Sequence, residues 1–298
     1  MSFDLRKGEA LLAVVETGSF EQAATRLHLT PSAISQRIRA MEDELGQPLV
    51  IRGRPCRATP AGQKILLYLQ RSRLLENEWR AEMTSADAGW LSVPVAVNND
   101  TLATWLLPGV ASSLLRQRIL LDLTLDDQTQ THTLLEEGRA VAGLSSRPDA
   151  MRGCVAEPLG IMRYRLLATP DFIHRWFPDG LKREAACQAP LLVFDRKDAL
   201  QWNLLENRLG MHRDAMPCHF IPASEPFMQA MLMGLGYGML PELQAAPALS
   251  AGKLVELAPD SPVDVPLYWH RWRVQSPRVE CLSEAVKDAA AGCLLQNG

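Results

Sequence analysis

One stretch constrains the chain more than any other: TPSAISQRIRAMEDEL, residues 30–45. Ile34, Ile38, Met41 and Leu45 recur at helical spacing and give it an apolar face. On the other side Ser32, Ser35, Gln36 and Arg39 recur at the same spacing, a row of hydrogen-bonding groups of the kind that reads base edges in a major groove. Thr30 is a good N-cap, and Pro31 sits at the first helical position, where its missing N–H costs nothing. The positive end of this helix is therefore expected to face outward, toward a phosphate.

The flanking residues extend that reading. Leu5, Leu12 and Val15 predict a first helix that stops near Gly18. Ser19 and Gln22 make a capping box for a second, whose apolar face is Phe20, Ala23, Ala24 and Leu27. Only His28 and Leu29 separate it from the helix at 30–45, so the pair reads as a helix-turn-helix whose second member is the reader. After Gly46 an apolar run, Leu49 to Ile51, is followed by the turn residues Gly53 and Pro55, which predicts a two-stranded wing carrying Arg52, Arg54 and Arg57. Beside a reading helix these arginines suit the sugar-phosphate backbone; alone they would be an ordinary solvated loop. Thr59-Pro60 then opens a long helix to about Met83, striped by Ile65, Tyr68, Leu69, Leu75 and Trp79, which needs either its own domain or a second copy of the chain as partner, and its length favours pairing. Residues 85–89, SADAG, read as a hinge.

From Trp90 the periodicity changes. LSVPVAV, ILLDLTL, AVAGLSS, YRLLAT and PLLVF are short apolar runs separated by helical stretches at about 101–117, 129–138, 197–209 and 224–235, which predicts parallel strands in an α/β sheet. PLYWHRW and a last helix from Pro277 follow a complete middle block, as in a chain that crosses to a second lobe and returns, leaving a ligand cleft between the lobes. The first strand delivers Asn98, Asp100 and Thr101 to that cleft, where Asp100 suits an ammonium and Thr101 a carboxylate at the next helix's positive end. Asp126, Ser145, Asp195, Ser224 and Glu225 stand at the ends of other elements, and a cleft edged by so many carboxylates suits a cationic amino acid. The competing account makes Asp100 and Ser224 helix caps and the rest solvated loop ends.

Composition excludes several classes. With 298 residues the chain is long enough for two or three domains. No apolar run approaches the roughly 20 residues that cross a bilayer, and the N-terminus lacks a signal peptide, so a cytoplasmic protein without a membrane partner is expected. The six cysteines are scattered without a CxxC pair, and the histidines show no HExxH spacing, so neither a metal site nor a catalytic site is predicted. Net charge is −3, but basic residues outnumber acidic ones between Arg26 and Arg57, which matters more for phosphate contact than the sum over the chain.

The N-terminal stretch resembles the LysR-type transcriptional regulators. Gly18-Ser19-Phe20, Ala23-Ala24, Leu27, Pro31-Ser32-Ala33, Ser35, the run from Arg37 to Glu42, Leu45-Gly46 and Thr59-Pro60-Ala61-Gly62 all fall where that family's motif places them. The resemblance implies a winged helix-turn-helix over 1–59, a linker and dimerisation helix with its hinge over 60–89, and a two-lobed, periplasmic-binding-protein-like effector domain over 90–298, with lobe I at 90–165 and 266–298 and lobe II at 166–265. DNA contacts are then expected from Thr30, Pro31, Ser32, Ser35, Gln36, Arg37 and Arg39 of the helix and Arg52, Arg54 and Arg57 of the wing. Residues 97–108, which include Trp105, together with Ser224 to Phe227 and Leu267 to Arg271, are similar to the ArgP and LysG branch, which responds to lysine or arginine and controls basic amino-acid export. That implies L-lysine or L-arginine as effector, with Trp105 added to its site, no other cofactor, and promoter DNA, a second or fourth copy of the chain and RNA polymerase as partners. A regulator sensing an aromatic or organic acid, and an enzyme or solute-binding protein carrying a DNA anchor, are the rival readings.

Overall fold

The computed structural model describes residues 4–83, 89–125, 131–212 and 216–296. The hinge expected at 85–89 and the effector residue expected at Asp126 therefore fall outside the described residues, apart from Gly89.

The N-terminal part runs α1 (Leu5–Thr17), α2 (Phe20–Arg26), α3 (Pro31–Leu45), β1 (Val50–Ile51), β2 (Arg57–Ala58) and α4 (Pro60–Met83). Local chemistry explains each boundary. Gly18 ends α1 at φ 68°, a left-handed conformation that a Cβ would disfavour, and the Ser19 hydroxyl then caps α2 by accepting from the Gln22 N–H. The α3 stripe is buried at Ile34, Ile38 and Met41, with Leu45 half-buried, against Leu11, Val14 and Leu49 in one cluster. The wing forms as a two-stranded antiparallel pair, Val50 opposite Ala58 and Ile51 opposite Arg57. Thr59 starts α4 by accepting from the Gly62 N–H at 3.1 Å, and Leu66 and Leu69 bury α4's first turns in the same cluster. Tyr68 and Trp79 are exposed, and the side chain of Leu75 lies outside the described ones.

The remainder runs β3 (Leu91–Val97), α5 (Asn99–Thr104), α6 (Leu106–Gln117), β4 (Ile119–Leu125), α7 (Thr131–Glu136), β5 (Ala142–Ser145), β6 (Cys154–Ala168), α8 (Pro170–Trp176), α9 (Arg183–Ala186), β7 (Leu191–Val193), α10 (Leu200–Leu209), β8 (Cys218–Phe220), α11 (Ser224–Leu232), β9 (Gly238–Pro241), α12 (Glu242–Ser250), β10 (Val255–Glu256), β11 (Val263–Trp272) and α13 (Pro277–Cys293). Among the described residues the main sheet has the order β10-β6-β11-β5-β3-β4, with β9 also on β6, and β7 and β8 form a separate pair.

The expectation of parallel strands is met only in part. β3 pairs parallel with β4 and β5, and β7 with β8, but β6 pairs antiparallel with β9, β10 and β11. The reason is topological. β6 leaves the first lobe and β11 returns to it, so the two passes run in opposite directions and lie side by side from Cys154 opposite Trp272 to Tyr164 opposite Val263. The helix expected over 101–117 is likewise two helices, broken at Trp105. Both lobes share one apolar core, from Val93, Val95 and Trp269 to Leu191, Phe177 and Tyr237.

The wing and α4 meet at Gly62, where a Cβ would stand 2.2 Å from the Leu49 carbonyl oxygen. Gly62→Ala should therefore destabilise the N-terminal part by about 1–3 kcal/mol, whereas Gly292→Ala, whose Cβ meets nothing within 4 Å in α13, should be neutral or stabilising. Denaturant titration of both variants checks the contrast.

Candidate functional site

The structure presents two candidate surfaces. The first is the solvent face of α3. The Thr30 hydroxyl caps that helix by accepting from the Ala33 N–H at 3.2 Å and lies 2.9 Å from the Ser32 hydroxyl, so both hydroxyls stand at its positive end. Pro31, Ser32, Gln36 and Arg39 are exposed, and Ser35 and Arg37 are half-buried on its flanks. Arg52, Arg54 and Arg57 are exposed on the wing, and the Arg52 guanidinium lies 5.5 Å over the Phe20 ring, a stacking that holds it beside the start of α2. Ser35, Pro31, Arg52 and Arg54 line a common groove of about 690 Å³ between α2, α3 and the wing. The start of α3 and the basic loop therefore border one surface. Arg26, by contrast, is engaged with Glu16 at 2.5 Å.

The second is a cleft of about 700 Å³ where the ends of β3 and β7 and the starts of α10 and α11 converge. Asn98, Asp100, Asp195 and Ser224 of the expected set line it. Asp100 is held from two directions: the Tyr164 hydroxyl of β6 donates to its Oδ2 at 2.7 Å, and the Ser224 hydroxyl of α11 donates to its Oδ1. Burial, followed by the Asp100 charge, pushes the Tyr164 hydroxyl well above its usual range, so it stays protonated and remains a donor. Neither Asp100 nor Ser224 is a helix cap. Asn98 caps α5, its Oδ1 accepting from the Thr101 N–H at 2.7 Å, and α11 begins at Ala223 without a side-chain cap.

Four expected effector residues do not line the cleft. Thr101 is fully buried within α5 behind Asn98, which takes the capping role expected of it. Trp105 fills the core at the α5–α6 junction, where a large apolar ring is worth more buried than presented to a ligand. Ser145 is fully buried at the end of β5, its hydroxyl accepting from the Arg147 N–H at 3.2 Å, while the neighbouring Ser146 reaches the cleft. Glu225 points to solvent and accepts from Gln229 one turn along α11.

Sequence reasoning missed Asp198 and Gln201, which line the cleft from the loop and first turn of α10. The available signal was Asp195-Arg-Lys-Asp198 directly before a helix. Asp195 Oδ1 accepts from the Lys197 and Asp198 N–H groups at 2.7 and 2.8 Å, and Asp198 Oδ1 accepts from the Leu200 N–H at 2.9 Å. Burial pushes the Asp198 carboxyl up, backbone N–H groups of Leu200 and Phe194 oppose the shift, and the charges of Asp195 and Asp100 add to it. Lys197 is the cationic side chain among those lining the cleft, and it is exposed.

The rings of His132 and His270 meet at 4.8 Å, tilted by 57°, in the first lobe, both kept toward the neutral form by burial, and His270 Nε2 lies 2.8 Å from the Arg147 carbonyl oxygen. Among the described residues no group of three or more His, Cys, Asp or Glu is placed to hold a metal ion, and no helix is long and apolar enough to cross a membrane.

Both parts of the chain match known families. Residues 5–63 match the family model described as the bacterial regulatory helix-turn-helix protein, lysR family, and residues 95–291 match that of the LysR substrate binding domain. The transcriptional regulator LysG of Mycobacterium bovis is 42% identical over 284 residues, which cover 95% of this chain and 92% of that protein. The crystal structure of ArgP from Mycobacterium tuberculosis superposes with a TM-score of 0.86 at 40% identity, over 99% of this chain and all of that one. Full-length LysG from Corynebacterium glutamicum with bound effector Arg superposes with a TM-score of 0.82 at 33% identity, over 98% of this chain and all of that one.

The raised Asp198 carboxyl has a thermodynamic consequence. A carboxyl whose pKa is higher folded than unfolded binds its proton more tightly in the fold, so lowering the pH through the folded value favours the native state. Relative to Asp198→Asn, the unmodified protein should therefore gain stability as pH falls from neutral toward the ordinary carboxylate range. Paired thermal melts across that range measure the difference, which should move in the unmodified protein's favour toward acid pH.

Proposed function

The chain belongs to the LysR family of bacterial transcriptional regulators, in the branch that contains LysG and ArgP, and from that premise we propose that it is a regulator switched by L-lysine or L-arginine. One observation carries the effector: among the described residues Asp100, Asp195 and Asp198 line the cleft against a single exposed lysine. Such a cleft favours a ligand with excess positive charge and disfavours an organic acid. The arginine held by the Corynebacterium relative supports the same class.

The chain acts as follows in this proposal. Two copies pair along α4, whose exposed Tyr68 and Trp79 supply apolar surface, and two α3 helices enter successive major grooves. Ser32, Ser35, Gln36 and Arg39 read base edges, with Thr30, Pro31 and Arg37 beside them, while Arg52, Arg54 and Arg57 hold the backbone. In the cytoplasm a basic amino acid entering the cleft competes with Ser224 and Tyr164 for the oxygens of Asp100. It thereby alters the contact between segments on either side of the cleft, the geometry between copies, and the access of RNA polymerase to basic amino-acid export genes.

Two measurements test this reading. Calorimetry of the full chain should detect arginine or lysine and no aromatic or organic acid, and Asp100→Ala should lose the response by at least about tenfold; binding of an acid in place of a basic amino acid would overturn the effector. In salt-controlled mobility shifts, Gln36→Ala and Arg39→Ala should weaken binding to the promoter site selectively. Arg54→Ala should weaken all duplexes and lower the salt slope by about 1. Equal losses for Gln36→Ala on the promoter site and on random DNA would reject the assigned division of roles.

A further inference from the structure

We propose that Asp195, Asp198 and Gln201 form the subsite that reads the positive side-chain end of the effector, while Asn98 and Asp100 hold its amino-acid head. This rests on the reading that the effector is a basic amino acid. It is carried by a difference between the two walls of the cleft in what they offer a ligand.

On the α5 wall, Asn98 is 6% exposed, and its Oδ1 is committed to the Thr101 N–H, which fixes the orientation of the amide. Its Nδ2 is consequently a buried donor without a protein partner. Asp100, two residues along, is an acceptor. A donor beside a carboxylate matches a group that carries a carboxylate and an ammonium together.

The α10 wall is built differently. Gln201 is 1% exposed and donates from Nε2 to the Leu192 carbonyl oxygen at 3.2 Å, so its orientation is fixed as well, and Oε1 is a buried acceptor without a protein partner. Asp195 and Asp198 each commit Oδ1 to backbone N–H groups, which locks the carboxylates in place on a short loop. With Gln201 Nε2 committed, the unpartnered buried atom on this side is an acceptor, and the complement of that oxygen and the two carboxylates is a group that only donates: a guanidinium or an alkylammonium. A buried acceptor without a donor is unfavourable in the empty protein, and a ligand cation placed there satisfies it. The neighbouring carboxylates of Asp195 and Asp198 serve the same end, since a ligand cation between them offsets their mutual repulsion.

The test pairs each basic amino acid with a neutral analogue: L-arginine with its urea isostere L-citrulline, and L-lysine with L-norleucine, which keeps the four-carbon side chain without the ammonium. Calorimetric titration of the full chain should show arginine preferred over citrulline and lysine over norleucine. Asp198→Asn and Asp195→Asn should lower affinity for arginine and lysine at least tenfold, about 1.4 kcal/mol, and leave the neutral analogues bound as well as before or better. Asp100→Asn should instead weaken charged and neutral ligands alike, because all four share the head. An unchanged preference in both α10-side variants overturns the subsite, and so does an equal loss for charged and neutral ligands. Should Asp198→Asn fail to fold, Asp195→Asn decides by the same readout. Failure of the unmodified protein to bind either arginine or lysine would instead defeat the effector reading itself.

Discussion

The antiparallel pairing of β6 with β11 is the constraint on which the cleft depends. These are the two passes of chain between the lobes, and they are tied by more than backbone hydrogen bonds. Arg163 and Asp264, opposite each other in the register, form a two-pronged ion pair at 2.7 and 2.8 Å, and Arg271 reaches Glu157 at 2.6 Å near the other end. Beyond Tyr164 the partner of β6 changes to β9 and β10, with Arg165 bridging to Glu242 and Glu256. A strand that stiff places Tyr164 at the seam, and the Tyr164 hydroxyl in turn aims at Asp100. The position of the cleft thus follows from strand pairing, and its chemistry from the few side chains that pairing brings to the seam.

Legibility in the sequence tracks the distance over which residues must cooperate. α3 was readable because its cap, its proline, its buried Ile34 and Ile38 and its exposed Gln36 and Arg39 all lie within one helix, where a period of 3.6 residues decides which side faces water. The cleft was harder. Element ends located Asn98, Asp100, Asp195 and Ser224, but the same rule also nominated Thr101, Ser145 and Glu225, which differ from true lining residues only in which way the next bond turns. Position at the end of a strand is a one-dimensional property; facing a cavity is not. Gln201 lay beyond reach for the same reason, since its significance is an amide oxygen left over after Nε2 finds the Leu192 carbonyl, a fact that exists only in the assembled fold. Trp105 was misplaced by analogy, its ring being needed where α5 gives way to α6.

Charge is arranged against the stability of the empty molecule. Asp198 is kept largely from water on a loop beside Asp195, within the field of Asp100, and its ionised form is disfavoured there. A protein selected for stability alone would replace it with a neutral residue, and sites where that has not happened are disproportionately sites of function. The same logic separates this carboxylate from Asp264, whose pairing with Arg163 lowers its pKa and leaves nothing for a ligand to satisfy.

A ligand at the cleft matters to DNA only if something rigid touches both ends of the molecule, and α4 does so. Leu66 and Leu69 lie in the core of the N-terminal part, while Leu67, between them in sequence, packs against the core of the lobes. One turn further the Arg71 guanidinium lies 4.9 Å over the Trp272 ring at the last residue of β11. Gly138 and Gly153 leave the room this requires, because a Cβ on Gly138 would meet Gln70 and Leu67, and one on Gly153 would meet Arg71. The strand that returns from the second lobe therefore ends against the helix that carries the reading head. β11 thus meets α4 through a packed contact at Trp272 and Arg71 with no intervening loop, the kind of contact that the proposed switch requires.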